Sequence, residues 1–561
     1  MDPPPQSYLN HRRKTLPIVM PDDSDPHQGD HQPEDQKRPD IQAAYPPSSP
    51  PNAESNHIST YSSRPSVGLD VPGAVQTREP PDPSERQMDS KLVVVMVGLP
   101  ARGKSYIVKK LRRYLNWLQY ETRIFNVGNR RRISAERSEK SSGKAQDQSA
   151  TFFDPNNSDG KALRDELALE TLEELIDWLK HGGRVAIHDA TNSTRDRRAK
   201  LIDRLQREPE IKVLFLESVC TDKLVLERNM RLKLSGPDYK DKDPVVALKD
   251  FKTRVENYER AYEPIGEWEE ERDVQYCKLI NVGKKVIANN ISGYLSGQAV
   301  FYLMNFNLAE RQIFLTRHGE SMDNIVERIG GDAELSERGH KFGAALSRFI
   351  KRQREAFAEA QQVRHEEELR QLEQFDTAES TVSGVPLAQS LSSCSEKTDL
   401  SQGKFVIWTS MLQRAVQTVE TFNPAEYDIK HIRFLNEIYS GLREGMSYGE
   451  IQRLYPEEFA ARQANKLYYR YPGMGGESYT DVIHRLQSMI IELERMTQSC
   501  LIVTHRVVMR ILLGYLLDWT HDEMPHMDVP IHSVYELRPK PYGTELKKWQ
   551  YDEATDEFHE F

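Results

Sequence analysis

The feature that most constrains this chain is an apolar run that ends in a glycine-rich loop. Residues 92–97 are Leu-Val-Val-Val-Met-Val, and the pattern Gly98-x-x-x-x-Gly103-Lys104-Ser105 follows directly. A run of this kind, rich in β-branched residues, is typical of a buried parallel strand. Glycines let backbone N–H groups close around phosphate oxygens, and the positive end of a following helix strengthens that attraction. The pattern therefore predicts a nucleotide-binding P-loop rather than a glycine turn beside a surface lysine.

Length, charge and cysteine content narrow the class of protein. The 561 residues are enough for two or three domains. A net charge of −10 argues against a general nucleic-acid binder, so basic clusters are expected to serve small anions. The four cysteines show no zinc spacing and suit a reducing cytosol. No apolar run reaches about 18 residues and no hydrophobic signal core is present, so we expect a cytoplasmic protein without a membrane segment.

The N-terminal segment, residues 1–88, has many Pro, Ser, Asp, Gln and His residues and few apolar ones. Such a segment cannot bury enough surface to offset the entropy lost on ordering, so we expect a disordered tail. Arg12-Arg13-Lys14-Thr15 and Ser49-Pro50 have the form of protein-kinase sites. Protein kinases that act on the tail are therefore possible partners.

Strand and helix patterns alternate between residues 91 and 279, which predicts an α/β fold with a parallel sheet. Asp189 follows a short strand at 185–187, the place where a carboxylate can organise Mg²⁺ or accept a proton from an attacking hydroxyl. The alternative is a carboxylate that caps a helix. The guanidinium groups of Arg131, Arg164 and Arg254 suit bidentate phosphate binding, although any single arginine is more often a solvated surface residue.

A second set of chemical residues follows residue 311. His318 comes directly after the strand Ile313–Thr316, in the sequence Arg317-His318-Gly319. An imidazole can attack phosphorus and become a phosphohistidine while neighbouring arginines offset the charge of the phosphoryl oxygens. Three further residues of the right types come later in the chain: Arg414, Glu437 and His505. Together they predict phosphohistidine chemistry, with Glu437 as the acid that protonates a leaving oxygen.

The chain is thus expected to have two catalytic domains, residues 89–308 and 309–545. An insertion at 351–403 interrupts the second domain, beginning with a charged helix candidate and continuing as a Ser- and Thr-rich stretch. Residues 546–561 are predicted to be an acidic tail.

These residues resemble those of the bifunctional 6-phosphofructo-2-kinase/fructose-2,6-bisphosphatase family, and the long form resembles its fungal members. The resemblance spans residues 91–545, and its motifs stand in family order: Gly98–Ser105, Asp189–Asn192, Gly236–Tyr239, Leu315–Ser321, Arg328–Asp332, Asn436–Ile438, Gly476–Tyr479 and Thr504–His505. It implies ATP-dependent synthesis of fructose 2,6-bisphosphate from fructose 6-phosphate and hydrolysis back to fructose 6-phosphate, which would control glycolysis. It also implies a P-loop kinase domain, a phosphatase domain with the phosphoglycerate-mutase (histidine phosphatase) fold, and a possible homodimer.

The resemblance implies roles for residues of the kinase half. The catalytic set would be Lys104, Asp189 and Lys233. Ser105 and Asp189 would hold Mg²⁺. MgATP would lie on Gly98, Leu99, Pro100, Ala101, Arg102, Gly103, Lys104, Ser105 and Asn229. Fructose 6-phosphate would contact Arg131, Arg164, Thr191, Lys233, Arg254 and Tyr258.

It likewise implies roles in the phosphatase half. His318 would be the nucleophile, Glu437 the proton donor and acceptor, and His505 their partner. Contacts to phosphate or sugar would come from Arg317, Asn324, Gly330, Arg414, Tyr448, Arg462, Lys466, Arg470, Tyr479 and Arg510.

Two positions depart from the family pattern. Arg130 stands where a Tyr is usual, which puts the affinity for fructose 6-phosphate in question. Arg506 stands where Gln often follows the second histidine, and we expect it to add a cation to the substrate pocket. Three alternatives therefore stay open: a phosphatase with a weak or sensor-only kinase domain, a mutase or broad phosphatase, and a metabolite-binding scaffold.

Overall fold

The computed structural model describes residues 91–142, 149–239, 242–379, 405–540 and 543–561. The predictions for the N-terminal tail and its kinase sites, and for the polar part of the insertion, fall outside these residues. Within them, no helix combines the length and apolar character that a membrane span requires.

The first sheet is built around the strand that precedes the P-loop. Its order is β2-β3-β1-β4-β5-β6, parallel except for β6, which runs antiparallel to β5. The strands are β1 (Lys91–Val97), β2 (Thr122–Asn126), β3 (Val185–Asp189), β4 (Ile211–Val219), β5 (Gln275–Ile280) and β6 (Lys285–Asn289). This parallel order confirms the predicted α/β class and brings the loops after β1 and β3 to one edge of the sheet.

The helices of this half fit the predicted alternation. They are α1 (Lys104–Trp117), α2 (Val127–Ser142), α3 (Ser158–Lys180), α4 (Arg195–Leu205), α5 (Lys223–Leu234), α6 (Pro244–Arg260), α7 (Glu267–Glu270) and α8 (Tyr294–Asn305). Helix α2 continues from Val127 through the polar residues 134–142.

The second sheet has the order β13-β12-β11-β7-β10-β8-β9. Strands β7, β10, β8 and β9 are parallel, and β11, β12 and β13 add an antiparallel edge. The strands are β7 (Ile313–Arg317), β8 (Phe405–Thr409), β9 (Tyr427–His431), β10 (Cys500–Thr504), β11 (Ser533–Lys540), β12 (Gly543–Asp552) and β13 (Glu557–Glu560). The helices are α9 (Met322–Ile325), α10 (Glu337–Glu379), α11 (Gln413–Thr418), α12 (Tyr448–Leu454), α13 (Pro456–Ala464), α14 (Tyr479–Arg495) and α15 (Arg506–Leu517).

The prediction of an acidic tail at 546–561 is wrong. These residues form most of β12 and all of β13, and Tyr551 and Phe558 are buried. Phe558 packs on Phe349 of α10 with ring centroids 4.5 Å apart. In the sequence, acidic residues on the exposed face alternate with the apolar residues that pack on the core, so the segment has the composition of a tail.

The described part of the insertion continues the helix of the domain that it interrupts. Helix α10 begins at Glu337, before the insertion, and runs without a break to Glu379. Its first turns bury Phe342, Leu346 and Phe349 in the core. The predicted charged helix is therefore confirmed as an extension of a core helix.

One hydrophobic cluster joins the two sheets. It contains Leu92 of β1, Tyr114 of α1, Tyr302 of α8, Ile490 of α14 and Leu537 of β11. The rings of Tyr114 and Tyr302 stack with centroids 4.3 Å apart. Helix α1, which begins at the P-loop, is thus packed against helices of the second half.

Candidate active sites

The P-loop has the backbone conformation that its glycines permit. Gly98 has φ of 135°, and a Cβ at this position would lie 2.6 Å from the carbonyl oxygen of Ser218. Gly103 caps α1 with φ of 84°. The N–H of Gly98 donates to the carbonyl oxygen of Thr191 at 2.9 Å, and Asn229 Nδ2 donates to the carbonyl oxygen of Ala101 at 3.0 Å. The segment after β3 and helix α5 therefore hold the loop, and Thr191 and Asn229 lie beside it.

Lys104 and Asp189 form the charged centre of this site. Lys104 Nζ donates to the carbonyl oxygens of Gly98 and Leu99 at 2.8 and 2.6 Å. Burial, opposed by the charge of Asp189, lowers the pKa of Lys104 to about 7. Burial raises the pKa of Asp189, although Lys104, Asn126 and Lys233 act in the opposite direction. A buried carboxylate among lysines suits a group that holds a cation or accepts a proton.

A cluster of arginines surrounds Phe153 next to this centre. The guanidinium carbon of Arg254 lies 3.8 Å from the centroid of the Phe153 ring, and those of Arg131 and Arg164 lie 5.1 and 5.9 Å from it. The ring of Tyr258 packs on Phe153 at 5.6 Å. Four of the six predicted fructose 6-phosphate contacts thus lie around one aromatic ring.

Two of these arginines, together with Arg132, converge on one carboxylate. Arg131 Nη2 donates to both oxygens of Asp238 at 3.0 and 2.9 Å, Arg254 donates at 3.1 Å and Arg132 at 3.2 Å. Against the effect of burial, these arginines lower the pKa of Asp238 to about 2. A carboxylate bound by three guanidinium groups marks a place where an oxyanion such as phosphate is recognised.

Arg130 points elsewhere. Its guanidinium pairs with Glu170 at 3.2 Å and with Glu174, both on α3. The departure from the family pattern therefore adds a surface ion pair on the outer side of α2, while Arg131 keeps its place beside Phe153.

In the second half, His318 has the geometry of a nucleophile. Its Nδ1 donates to the carbonyl oxygen of Gly319 at 2.6 Å, and Arg414 Nε donates to its Nε2 at 3.2 Å. Burial, followed by the charges of Arg414 and Arg317, keeps the pKa of His318 well below its ordinary value. The imidazole is therefore neutral, with its proton on Nδ1 and a lone pair on Nε2 aimed at the arginine-lined space.

His505 and Glu437 complete this centre. The ring of His505 lies 5.0 Å from that of His318, and its Nε2 meets the hydroxyl of Ser410 at 2.7 Å. Glu437 Oε1 accepts from the N–H of Val507 at 3.3 Å, which places the carboxylate at the start of α15. The predicted catalytic residues thus lie at the carboxyl edge of the second sheet. His318 follows β7, His505 follows β10, and Glu437 follows the 3₁₀ turn Arg433–Leu435.

Most of the predicted anion contacts gather beside these residues. Arg510 Nη1 donates to the hydroxyl of Tyr479 at 3.1 Å, and Arg462 Nη2 donates to that of Tyr448 at 3.1 Å. Burial, then the charges of Arg462, Arg510 and Arg506, lowers the pKa of Lys466. Arg317 is half-buried, and desolvation together with the charge of Arg506 lowers its pKa to about 10. The charge of Arg506 thus contributes to lowering both pKa values.

Three predicted contacts have other partners. Arg470 is 64% exposed and pairs with Asp481. Asn324 Oδ1 accepts from the N–H and the hydroxyl of Ser321, which caps α9. Gly330 has φ of 74° and precedes Gly331, whose carbonyl oxygen accepts from Arg414 at 2.8 Å. Gly330 and Asn324 shape the loops of the pocket, whereas Arg470 lies on its exposed side.

Several residues at these sites were not singled out from the sequence. Asp238, Phe153 and Asn126 complete the first site, and Ser410 and Arg485 the second. Arg485 Nη2 donates to the backbone carbonyl oxygens of Asn436 and Glu437 at 2.7 and 3.2 Å, and so positions the acid. Asp238 could have been identified from the sequence, because it belongs to the motif Gly236–Tyr239. The other residues join the sites only through tertiary contacts.

Comparison with known proteins agrees with this architecture. A family model described as 6-phosphofructo-2-kinase matches residues 82–310, and one described as histidine phosphatase superfamily (branch 1) matches residues 394–552. The chain is 48% identical over 494 residues to 6-phosphofructo-2-kinase 1 of Saccharomyces cerevisiae, covering 87% of this chain and 56% of that relative. A probable 6-phosphofructo-2-kinase of Schizosaccharomyces pombe is 46% identical, covering 84% of this chain and 71% of its own length.

A human relative carries both activities in its name. The chain is 38% identical over 461 residues to the human 6-phosphofructo-2-kinase/fructose-2,6-bisphosphatase 3, covering 82% of this chain and 76% of that protein. The matched part spans little more than half of the budding-yeast relative and about three quarters of the human one. On these similarities the chain belongs to the 6-phosphofructo-2-kinase/fructose-2,6-bisphosphatase family.

Proposed function

We propose that this protein is a bifunctional enzyme that makes fructose 2,6-bisphosphate from fructose 6-phosphate and ATP and hydrolyses it back to fructose 6-phosphate and phosphate. The observation that carries the proposal is the geometry of His318, neutral and facing Arg414, in the same chain as a P-loop with Lys104 beside Asp189. The family relationship supports this pairing of activities.

The kinase residues fit MgATP. Ser105 and Asp189 supply the hydroxyl and carboxylate oxygens that Mg²⁺ prefers, and the loop from Gly98 to Ser105 supplies backbone N–H donors. When bound, MgATP supplies the phosphoryl group and the charge of the metal. The 6-phosphate of fructose 6-phosphate would bind among Arg131, Arg164 and Arg254. It would replace the Asp238 carboxylate as the partner of Arg131 and Arg254. The 2-hydroxyl of the sugar would transfer a proton to Asp189 as the oxygen attacks phosphorus, while Lys104 and Lys233 offset the developing negative charge.

In the phosphatase half, the Nε2 lone pair of His318 attacks the phosphorus of the 2-phosphate. Glu437 gives a proton to the leaving 2-oxygen, and fructose 6-phosphate departs. The carboxylate of Glu437 then takes a proton from water as the water attacks the phosphohistidine, which releases phosphate and restores the neutral imidazole. Arg317, Arg414 and His505 offset the charge on the phosphoryl oxygens during both steps.

The alternative of a sensor-only kinase domain rested on Arg130. Its pairing with Glu170 and Glu174 on α3 favours an intact sugar-phosphate pocket. We further propose that the kinase domain spans residues 89–308 and that the phosphatase domain runs from 309 to the end of β13. We also propose a homodimer, from the family resemblance, and a cytoplasmic location, from the cysteine usage.

A paired assay on the purified full-length chain tests the function. One arm supplies MgATP and fructose 6-phosphate to His318→Ala and follows formation of fructose 2,6-bisphosphate. The other supplies bisphosphate labelled at the 2-phosphate to the unaltered protein and to His318→Ala, and follows release of phosphate and labelling of the enzyme. Activity in both arms is expected. Release without formation would leave only a phosphatase, and unchanged hydrolysis by His318→Ala would exclude His318 as the nucleophile.

A further inference from the structure

A cleft lies between the two halves, apart from both catalytic centres. Its volume is about 550 Å³, within the range of small-molecule sites. Its walls come from α1 and β2 of the first half, and from the C-terminal end of α15 and the facing ends of β11 and β12 of the second half. Six of the lining side chains are cationic: Lys109, Lys110, Arg112, Arg113, Arg123 and Lys540.

We propose that this cleft, which we name the interdomain cleft, is a binding site for a small polyanion such as a phosphorylated or tricarboxylate metabolite. The lining contains a single carboxylate, Asp518, against its six cations. In a protein with a net charge of −10, such a concentration of positive charge is a local exception that attracts anions.

The nearby carboxylates only partly offset these cations. Glu494 is buried and shared, since Lys110 pairs with it at 2.9 Å and Arg113 at 2.7 Å. The hydroxyl of Tyr515 also donates to Glu494 at 2.6 Å. Arg123 reaches Glu174 only at 3.6 Å, and both side chains are about half exposed. Arg112 pairs with Asp518, and Lys540 pairs with Glu310. An anion in the cleft would therefore share cations that already have carboxylate partners, two of which, Lys110 and Arg113, divide one carboxylate between them.

The titration of Lys110 agrees with an excess of positive charge. Burial lowers its pKa to about 8 despite the contact with Glu494, and Arg113 and Arg311 add to the lowering. Arginine forks suit phosphate and carboxylate groups bidentately. The apolar surfaces of Tyr106, Ile124 and Leu517, which also line the cleft, would contact the carbon skeleton of the ligand. These features favour an organic polyanion over a lone inorganic ion.

The cleft touches helices that begin at each catalytic centre. Lys109 follows Lys104 by five residues, about 7.5 Å along α1. Leu517 ends α15, about 16 Å along the axis from Arg506. The Trp117 indole N–H donates to the carbonyl oxygen of Ile511 at 3.2 Å, which ties the two helices together below the cleft. A ligand here would thus contact both halves without occupying either catalytic pocket.

Hydrogen exchange on the full-length chain tests the site with two probes, inorganic tripolyphosphate and tricarballylate. Slower exchange is expected for the amides of 122–124 and 543–546, which border the cleft and belong to neither catalytic centre. The cleft variant is Arg112→Ala/Arg123→Ala. Its matched control is Arg348→Ala/Arg352→Ala, because those two arginines are also part-exposed and each pairs with one carboxylate.

The cleft variant should weaken probe binding at these amides by about tenfold or more, while the control should bind as the unaltered protein does. Arg123→Glu, on an exposed strand edge, should abolish protection and provides a second variant that keeps the fold. Protection by tripolyphosphate alone would identify a phosphate-bearing ligand, and protection by both probes would extend the class to carboxylates. Unchanged exchange with both probes, or equal protection in the cleft variant and the control, would overturn the proposal.

Discussion

The Nε of Arg414 lies 3.2 Å from Nε2 of His318. The guanidinium therefore lies at the nitrogen that must attack phosphorus, and it also helps to keep the imidazole neutral. Arg414 Nη1 donates to the carbonyl oxygen of Gly331 at 2.8 Å. One side chain thus sets the protonation state of the nucleophile and stands ready for the phosphoryl oxygens.

Replacing Arg414 with alanine should lower phosphatase kcat by about 10²- to 10³-fold, because a preorganised donor to the transition state is lost. Kinase activity should be unchanged, since Arg414 belongs to the second sheet's site. Steady-state assays of both activities check this. Arg453→Ala, on the exposed side of α12, is the control and should leave both activities intact. A loss in Arg414→Ala no larger than in the control would contradict the assigned role.

Nucleotide affinity should fall as pH rises above 7. In the ligand-free protein burial lowers the pKa of Lys104 to about 7. A bound polyphosphate favours the charged amine and so raises this pKa. Affinity is then greatest below pH 7 and declines between the free and bound pKa values, by up to about tenfold per pH unit.

Calorimetric titration with MgADP from pH 7 to 9 measures this dependence, and buffers of different ionisation enthalpy report the proton taken up at pH 8. Lys104→Arg stays charged over this range and should bind with little pH dependence. Proton release on binding at pH 8 would show that the sign is wrong.

Arg130→Tyr should change the KM for fructose 6-phosphate by no more than about twofold, because exposed ion pairs contribute little. Arg131→Ala should raise it by about tenfold or more, since a bidentate phosphate contact is lost. Kinase assays at saturating MgATP compare the two. If Arg130→Tyr lowered KM strongly, Arg130 would have to act on the pocket despite its contacts with Glu170 and Glu174.

Phe558→Ala should lower the free energy of unfolding of the second half by about 3–5 kcal/mol, the range for a buried aromatic residue cut to alanine. Its ring contacts Phe349 and Phe342 of α10, and so anchors β13 to the core. Urea unfolding measures the change, with exposed His559→Ala as the control. Equal stability of the two variants would restore the interpretation of residues 546–561 as a tail.

The sequence by itself determined the parts of the sites that are contiguous. The P-loop at 98–105, Asp189 at the end of β3, His318 after β7 and His505 after β10 were all singled out from the sequence, because each stands where a short apolar strand ends. The parallel sheets follow from the same pattern, since apolar strands alternate with helices along the chain.

Only the tertiary structure decided how distant residues meet. Asp238 draws Arg131 and Arg254 onto Phe153, and Ser410 holds His505, through contacts between residues far apart in sequence. The Arg130 side chain points away from the pocket because the face of α3 that carries Glu170 and Glu174 lies beside α2. The strands at 543–560 were hidden because acidic residues occupy their exposed face, while two buried aromatic residues, Tyr551 and Phe558, pack them against α10. Such contacts depend on packing between elements, which a linear pattern of residue types does not specify.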